Sequence, residues 1–402
     1  MTPHTFQFVA HESLRESQKR MIQDGNSVLE ESGYLFAAAP TGIGKTAAAL
    51  SSTLSFAKSH TDGAKKVLFL TGRQSQHRIV VESVRRINER LGSNEIKLVD
   101  LIGRVSMCIE VDRITGKCTC ELDVPEDMRT LGRNEIRQFI LAQPRHVDES
   151  IEKGRKRKIC SWAAARSAVK DADVIVCDYN HVFVESIRKA SLPSMGLELE
   201  DTILVVDEAH NLPNRIRMGL ERRITNQVIR DAFNEMEEHR GRMDKEMAEL
   251  MNSEYDGEIF DEDLEKARSA EAALSRIREN VGDYIRNLKR LLGTQEEMMS
   301  DPDELLELIE NSLLETIDEP MSLNNFIRTL DEVKVEIDES LDSDQELACH
   351  RLAEILEILD QRRGDKALAA VFDLLGMKEE GRITTHLLDP GVVSKPVFEQ
   401  CC

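Results

Sequence analysis

The chain has 402 residues, 41% of them hydrophobic, enough to bury one large core or to divide into two or three domains. No run of about 18 apolar residues occurs, and MTPHTFQFVAHES at the start lacks the basic head and apolar stretch of a secretory signal, so the reading is a cytosolic (cytoplasmic) protein without a membrane partner. The net charge of -21 argues against a polyanionic ligand only until it is divided: residues 231–370 hold 39 acidic against 16 basic side chains, a net of -23, which leaves +2 elsewhere.

In chain order, the first strong signal is an apolar run, YLFAAA (34–39), that leads into Ala39-Pro40-Thr41-Gly42-Ile43-Gly44-Lys45-Thr46 and then a helical stretch. That is the context of a phosphate-binding loop. Glycines at 42 and 44 let the backbone curl and turn its N–H groups toward phosphate oxygens, and the helix start adds its positive end. Lys45 would reach the β- and γ-phosphates of ATP, and the Thr46 hydroxyl would ligate Mg²⁺. Ala39 stands where the general pattern has its first glycine.

Further strands are expected at KVLFLTG (66–72), IKLVDLIG (96–103), ADVIVCDY (172–179) and TILVVDE (202–208), most of them separated by helices, as in an α/β domain with a parallel sheet. Residues 104–160 interrupt this alternation with Cys108, Cys118, Cys120 and Cys160 and a KGRKRK run, and read as an inserted domain. Eight cysteines without an export signal favour thiols or metal ligands over disulfides. Arg104, Lys153, Arg155, Lys156, Arg157 and Lys158 form a basic loop that would neutralise the phosphates of a single strand; the plainer alternative is a solvated loop. Trp162, Tyr179 and Phe183 are the nearest aromatic side chains for base stacking, whereas Cys177 sits in an apolar strand as a small hydrophobe.

The run ILVVDEAH (203–210) supplies the other half of the nucleotide site. Asp207, at the C-terminal edge of a buried strand, would hold Mg²⁺, Glu208 would orient and deprotonate the attacking water, and His210 would relay nucleotide state. From about 215 to 380, long acidic Leu-rich stretches such as DPDELLELIENSLLETI predict a separate helical domain with almost no strand, and RITTHLLDPGVV (382–393) reads as a strand returning to the first sheet.

APTGIGKT together with DEAH resembles superfamily 2 helicases, and the interrupting cysteines make the chain similar to the XPD-like iron–sulfur members. TGRQSQ (71–76) resembles that family's DNA-contacting loop, GRVSMC (103–108) the stretch carrying its first cluster cysteine, and WAAARSAVKDADVIVCDYNHVF the segment after its last. The resemblance implies a RecA-like α/β motor domain with two insertions. It divides the chain into a first motor part (1–103), a four-cysteine iron–sulfur insert (104–165), a second motor part (166–214), an acidic helical Arch-like domain (215–380) and a return strand (381–402). It further implies a 5′ to 3′ DNA helicase, DNA contacts through Arg73, Ser75 and Gln76, adenine contacts through Arg15 and Gln18, and a [4Fe-4S] cluster on the four cysteines, for which zinc is the alternative.

After DPGVV the family pattern continues with a Ser-Gly-Thr motif and a second RecA-like domain, and neither is found before residue 402. No Gln-x-x-Gly-Arg-x-x-Arg pattern supplies an arginine finger in cis, so the missing domain counts as a required partner, and the chain alone is expected to bind ATP weakly and to unwind nothing. Two competing classes remain at this stage: a nucleic-acid-binding regulatory module without turnover, and an ATPase with a structural zinc insert. The oligomeric state is not legible.

Overall fold

The computed structural model describes residues 6–40, 42–59, 65–110, 119–121, 124–251, 258–315, 320–334, 347–376 and 379–401. These fall into two compact units, one holding the described residues up to Gly219 together with Pro390–Cys401, the other Leu220–Asp389.

The first unit opens with α1 (Glu16–Glu30) and α2 (Lys45–Ser59), then β1 (Lys66–Thr71), α3 (Gln74–Leu91) and β2 (Leu98–Asp100). It continues through α4 (Arg104–Met107), α5 (Glu126–Leu141), α6 (Val147–Arg157) and α7 (Ser161–Ala168) to β3 (Val174–Asp178). There follow α8 (Asn180–Phe183), α9 (Glu185–Met195), β4 (Thr202–Val206) and α10 (Leu212–Leu220). The β-branched runs of these strands pair in parallel in the order β2-β3-β1-β4, with Val67 opposite Val174 and Ile203. Parallel strands need crossovers, and the helices supply them. Leu68, Phe69 and Leu70 are at most 1% exposed, as a strand covered on both faces requires. Each such side chain contributes about 1.5–3 kcal/mol by leaving water. α3 stops at Gly92, whose φ of 69° caps the helix in the left-handed region that glycine enters without strain.

Two expectations change here. Residues 34–39 form no strand: Phe36 is 91% exposed, Tyr34 packs edge-on against Phe398, and the outer edge of β4 carries no strand among the described residues. An apolar run becomes a strand only where a ladder partner takes its backbone groups. The KGRKRK run is not a loop either, because Lys153–Arg157 form the last turns of α6, where cations complement the negative helix end.

The second unit holds β5 (Arg223–Thr225), α11 (Asn226–Met251), α12 (Glu258–Leu292), β6 (Glu297–Ser300), α13 (Pro302–Leu314), α14 (Leu323–Asp331), α15 (Ala348–Gln361), β7 (Leu368–Leu375) and β8 (Glu380–Leu387). Its helices bury one apolar core, including Leu274, Ile277, Leu305, Phe326 and Leu356. It holds more strand than the sequence reading, which expected almost none, because β5-β8-β7-β6 form an antiparallel sheet. Nor does 382–393 return to the first sheet. Glu380–Leu387 pairs with β7, placing Ile383 opposite Phe372 in the second core, and Gly391–Gln400 is helix α16 in the first unit. Among the described residues no helix is long and apolar enough to cross a membrane.

Candidate nucleotide and nucleic-acid site

The loop before α2 turns through Gly42 (φ 84°) and Gly44 (φ 86°), conformations that a residue with a Cβ adopts only at a cost of roughly 1–2 kcal/mol. Arg15 donates from Nη1 to the Gly42 carbonyl at 2.9 Å, and the buried Gln18 amide lies where a Cβ on Gly44 would be. Arg15 and Gln18, read from the sequence as adenine contacts, thus brace the loop itself. Lys45 Nζ donates to the Ala39 carbonyl at 3.2 Å and stands 3.5 Å from Glu208 Oε1. Ile43 and Thr46 are half-buried and Pro40 is exposed; Thr41 lies outside the described residues.

Pairing beside β1 carries on past β4, as the Asp207 N–H donates to the Leu70 carbonyl at 2.9 Å. That places Asp207 at the C-terminal edge of the sheet. Burial and the neighbouring Glu208 push the Asp207 carboxyl up from its ordinary value. Glu208 itself adopts φ 48°, ψ 46°, a left-handed conformation unusual outside glycine, and its N–H donates to Asp207 Oδ1 at 3.1 Å. His210 is 3.4 Å from Glu208 through Nδ1 and otherwise open to solvent. The P-loop lysine and the DEAH acids are therefore brought together.

On the other side of Glu208 lies a cavity of about 610 Å³ lined by Gly72, Arg73, Gln76, Glu208 and His210, with Tyr179 also in its wall. Ser75 instead lines a smaller cavity with Thr46 and Arg78. Tyr179 and Phe183 are buried, and Trp162 is stacked under the guanidinium groups of Arg104 (4.6 Å) and Arg166 (4.5 Å), so base stacking finds none of these rings free. In the basic run, Arg155 and Lys158 are exposed, Lys153 and Arg157 pair with Glu135 at 2.8 Å each, and Lys156 pairs with Glu152 at 2.6 Å.

Cys108, at the end of α4, Cys120 and Cys160, at the start of α7, converge: Cys108 Sγ is 3.4 Å from Cys120 and 3.6 Å from Cys160. The three sulfurs lie within 4.8 Å of one another, a donor set suited to a thiophilic metal; Cys118 lies outside the described residues. Buried Glu121 accepts the Cys160 N–H at 2.9 Å and an ion pair from Arg133, fixing the third thiol. Cys177 is fully buried in β3 and its thiol is pushed up by desolvation, as an inert core residue. Sequence reasoning missed Glu121, and it missed Asp100, whose buried carboxylate meets His77 Nδ1 at 2.5 Å and accepts the Val147 N–H at 2.8 Å. It also missed Tyr179 as a hydrogen-bond donor. Isolated acids in unremarkable contexts carry no pattern.

A parallel sheet with a phosphate loop and an acidic pair at its carboxyl edge defines a RecA-like P-loop domain. A family model described as DEAD_2 matches residues 69–229. The chain is 27% identical over 164 residues to ATP-dependent DNA helicase chl1 of Schizosaccharomyces pombe, covering 38% of this chain and 19% of that one. It is 32% identical over 101 residues to ATP-dependent DNA helicase DDX11 of Danio rerio, 25% and 10% of the two chains. Among solved structures, an XPD helicase superposes with TM-score 0.52 at 16% identity over 97% of this chain and 57% of its own, and a truncated XPD with 0.50 at 16% over 94% and 89%. Over residues 69–229 the chain is thus similar to the family described as DEAD_2, and its fold is similar to that of XPD helicases. The matched stretches amount to about a fifth or less of the curated relatives' length.

Proposed function

We propose that this chain is the ATP-binding part of an ATP-dependent DNA helicase that moves 5′ to 3′ along a single strand and serves DNA repair. One observation carries this reading: Lys45 of the phosphate loop and Glu208 of the acidic pair, distant in sequence, stand 3.5 Å apart. Lys45 and the loop N–H groups bind the phosphates of ATP, Thr46 and Asp207 hold Mg²⁺, and Glu208 takes a proton from the attacking water. Bound Mg²⁺ supplies neutralisation of phosphate charge. Arg73, Ser75 and Gln76, with Arg104 and Arg155 to Lys158, hold the backbone of the strand without reading its bases. Turnover and unwinding call for a second RecA-like domain to close on the nucleotide and supply its arginine finger.

The cysteines hold a [4Fe-4S] cluster with Cys118 as fourth thiolate, in an insert of the family's iron–sulfur kind, and the second unit is the counterpart of its Arch domain. One observation favours zinc instead. Sulfurs around a single tetrahedral ion with bonds of about 2.3 Å stand about 3.8 Å apart, near the spacing seen here, whereas a cluster gives each thiolate its own iron. Anaerobic purification separates the two: absorbance near 400 nm with bound iron supports the cluster, and colourless protein with one zinc refutes it.

The nucleotide reading is tested by titrating a fluorescent ATP analogue with Mg²⁺ into the chain. Binding that weakens about tenfold or more in Lys45→Ala supports it, and equal binding by both proteins overturns it.

A further inference from the structure

Tyr179 follows β3 directly, and its ring is 1% exposed. Its hydroxyl donates to the Asp207 carbonyl and lies 3.5 Å from the Glu208 carbonyl. The hydroxyl end of the same ring also meets the loop after β1, where a Cβ on Gly72 would come within 3.1 Å of Tyr179 Cε2 and 3.6 Å of the hydroxyl oxygen. Gly72 is in turn held by Gln76, whose side-chain oxygen accepts its N–H at 3.3 Å. One rigid side chain therefore spans from the Gly72–Gln76 loop to the peptide that carries Glu208. That peptide is in the left-handed region, which a residue other than glycine keeps only where neighbours hold it. The holding contacts are the Tyr179 hydroxyl on the Asp207 carbonyl, the Glu208 N–H on Asp207 Oδ1, and the Asn211 N–H on the Glu208 carbonyl at 2.9 Å. Burial and the surrounding carboxylates push the phenol up to about 12, so at neutral pH it stays a donor.

We infer that Tyr179 is a positioning residue that couples a nucleic-acid strand in the Gly72–Gln76 cavity to the carboxylate of Glu208. The inference rests on the nucleotide reading above and goes beyond it, since it gives a role to a residue outside both the phosphate loop and the DEAH acids. A strand that shifts Gly72 moves the ring, and the ring moves the Asp207 carbonyl. Glu208 then changes its distance from Lys45 and from the γ-phosphate position. Coupling of this kind is a ratio of affinities and is reciprocal.

The test uses the whole 402-residue chain and measures Kd for a fluorescent ATP analogue with Mg²⁺, with and without saturating twelve-residue oligothymidylate. In the unaltered chain the oligonucleotide should shift Kd by about fivefold or more. Tyr179→Phe keeps the ring and removes the hydroxyl; it should bring that ratio below about twofold while Kd without DNA changes little. A tyrosine that only filled the core would lower Tm and leave the ratio intact. Gly72→Ala presses on the ring from the loop side and should disturb the ratio independently, so it decides the matter if Tyr179→Phe does not fold. An unaltered ratio in both variants overturns the inference, as does a ratio of one in the unaltered chain when both ligands bind. Failure of Lys45→Ala to weaken the analogue would instead overturn the nucleotide reading.

Discussion

Asp207 is held in a place that disfavours its ionised carboxylate. Half-buried beside Glu208, its carboxyl is raised, which means the folded chain pays a penalty whenever Asp207 is ionised. The sign follows from that direction: the penalty is absent below the range where Asp207 takes its proton and grows as pH rises through it. Asp207→Asn keeps an oxygen for the Glu208 N–H and removes the charge. It should raise Tm of the ligand-free chain at pH 7.5 by about 2 °C, the scale of a gain under about 1 kcal/mol in a unit of this size, and abolish Mg²⁺-dependent nucleotide binding. The gain should shrink as pH is lowered toward the carboxylate range. A drop in Tm at pH 7.5, measured by calorimetry, would contradict this account. At this scale the meeting of Lys45 with the Asp207-Glu208 pair was legible, because glycine pairs, Lys-Thr and Asp-Glu recur at fixed spacings. Tyr179, Glu121 and Asp100 were not, because each acts through a backbone group or partner that only the fold brings near.

Elements were legible where one covalent neighbour decides them and obscure where a distant one does. β1, β3 and β4 are apolar apart from their terminal residues and were read within a few residues. Tyr34–Ala39 has the same composition yet forms no strand, since composition says nothing of a ladder partner. β7 was hidden for the converse reason, and β8, read as a strand at 382–393, was assigned to the wrong sheet: their pairing buries an alternating face against helices whose acidic pattern dominated the stretch. The cysteine-bearing helices are joined to the sheet by a similarly long-range device. Asp100, at the end of β2, takes His77 from α3 and the first N–H of α6 on one buried carboxylate, while Arg85 on α3 reaches Glu149 and the Pro144 carbonyl. Asp100→Ala should cost about 3 kcal/mol, because it strands buried partners. Its particular signature is local: amides of Val147–Arg157 should exchange with solvent well before those of β3. Uniform loss of protection across both would show that Asp100 supports the core generally and does not dock the helices.

For the molecule as a whole, a net charge of -21 predicts poor binding to a polyanion, and its division predicts otherwise, because the surplus of acid lies in residues 231–370 and the first unit can act locally. Within that unit the basic side chains are not equivalent. Arg73 is exposed at the cavity by the Gly72 loop, whereas Lys156 already stands 2.6 Å from Glu152, whose carboxyl it lowers, so part of its charge is offset locally. A cation neutralised by a neighbour displaces fewer counterions from DNA. If single-strand binding follows local charge, the slope of log K against log salt should be negative and about 0.7 per phosphate contacted. Arg73→Ala should flatten it by about 0.7, and Lys156→Ala by less than half as much. Both slopes are obtained from oligothymidylate titrations between 50 and 200 mM salt, a range chosen because the effect is steep there. Equal flattening by the two variants would mean that the Glu152 pair opens when the strand arrives, and a slope near zero in the unaltered chain would mean that the field of the acidic segment reaches the strand and no local patch governs binding.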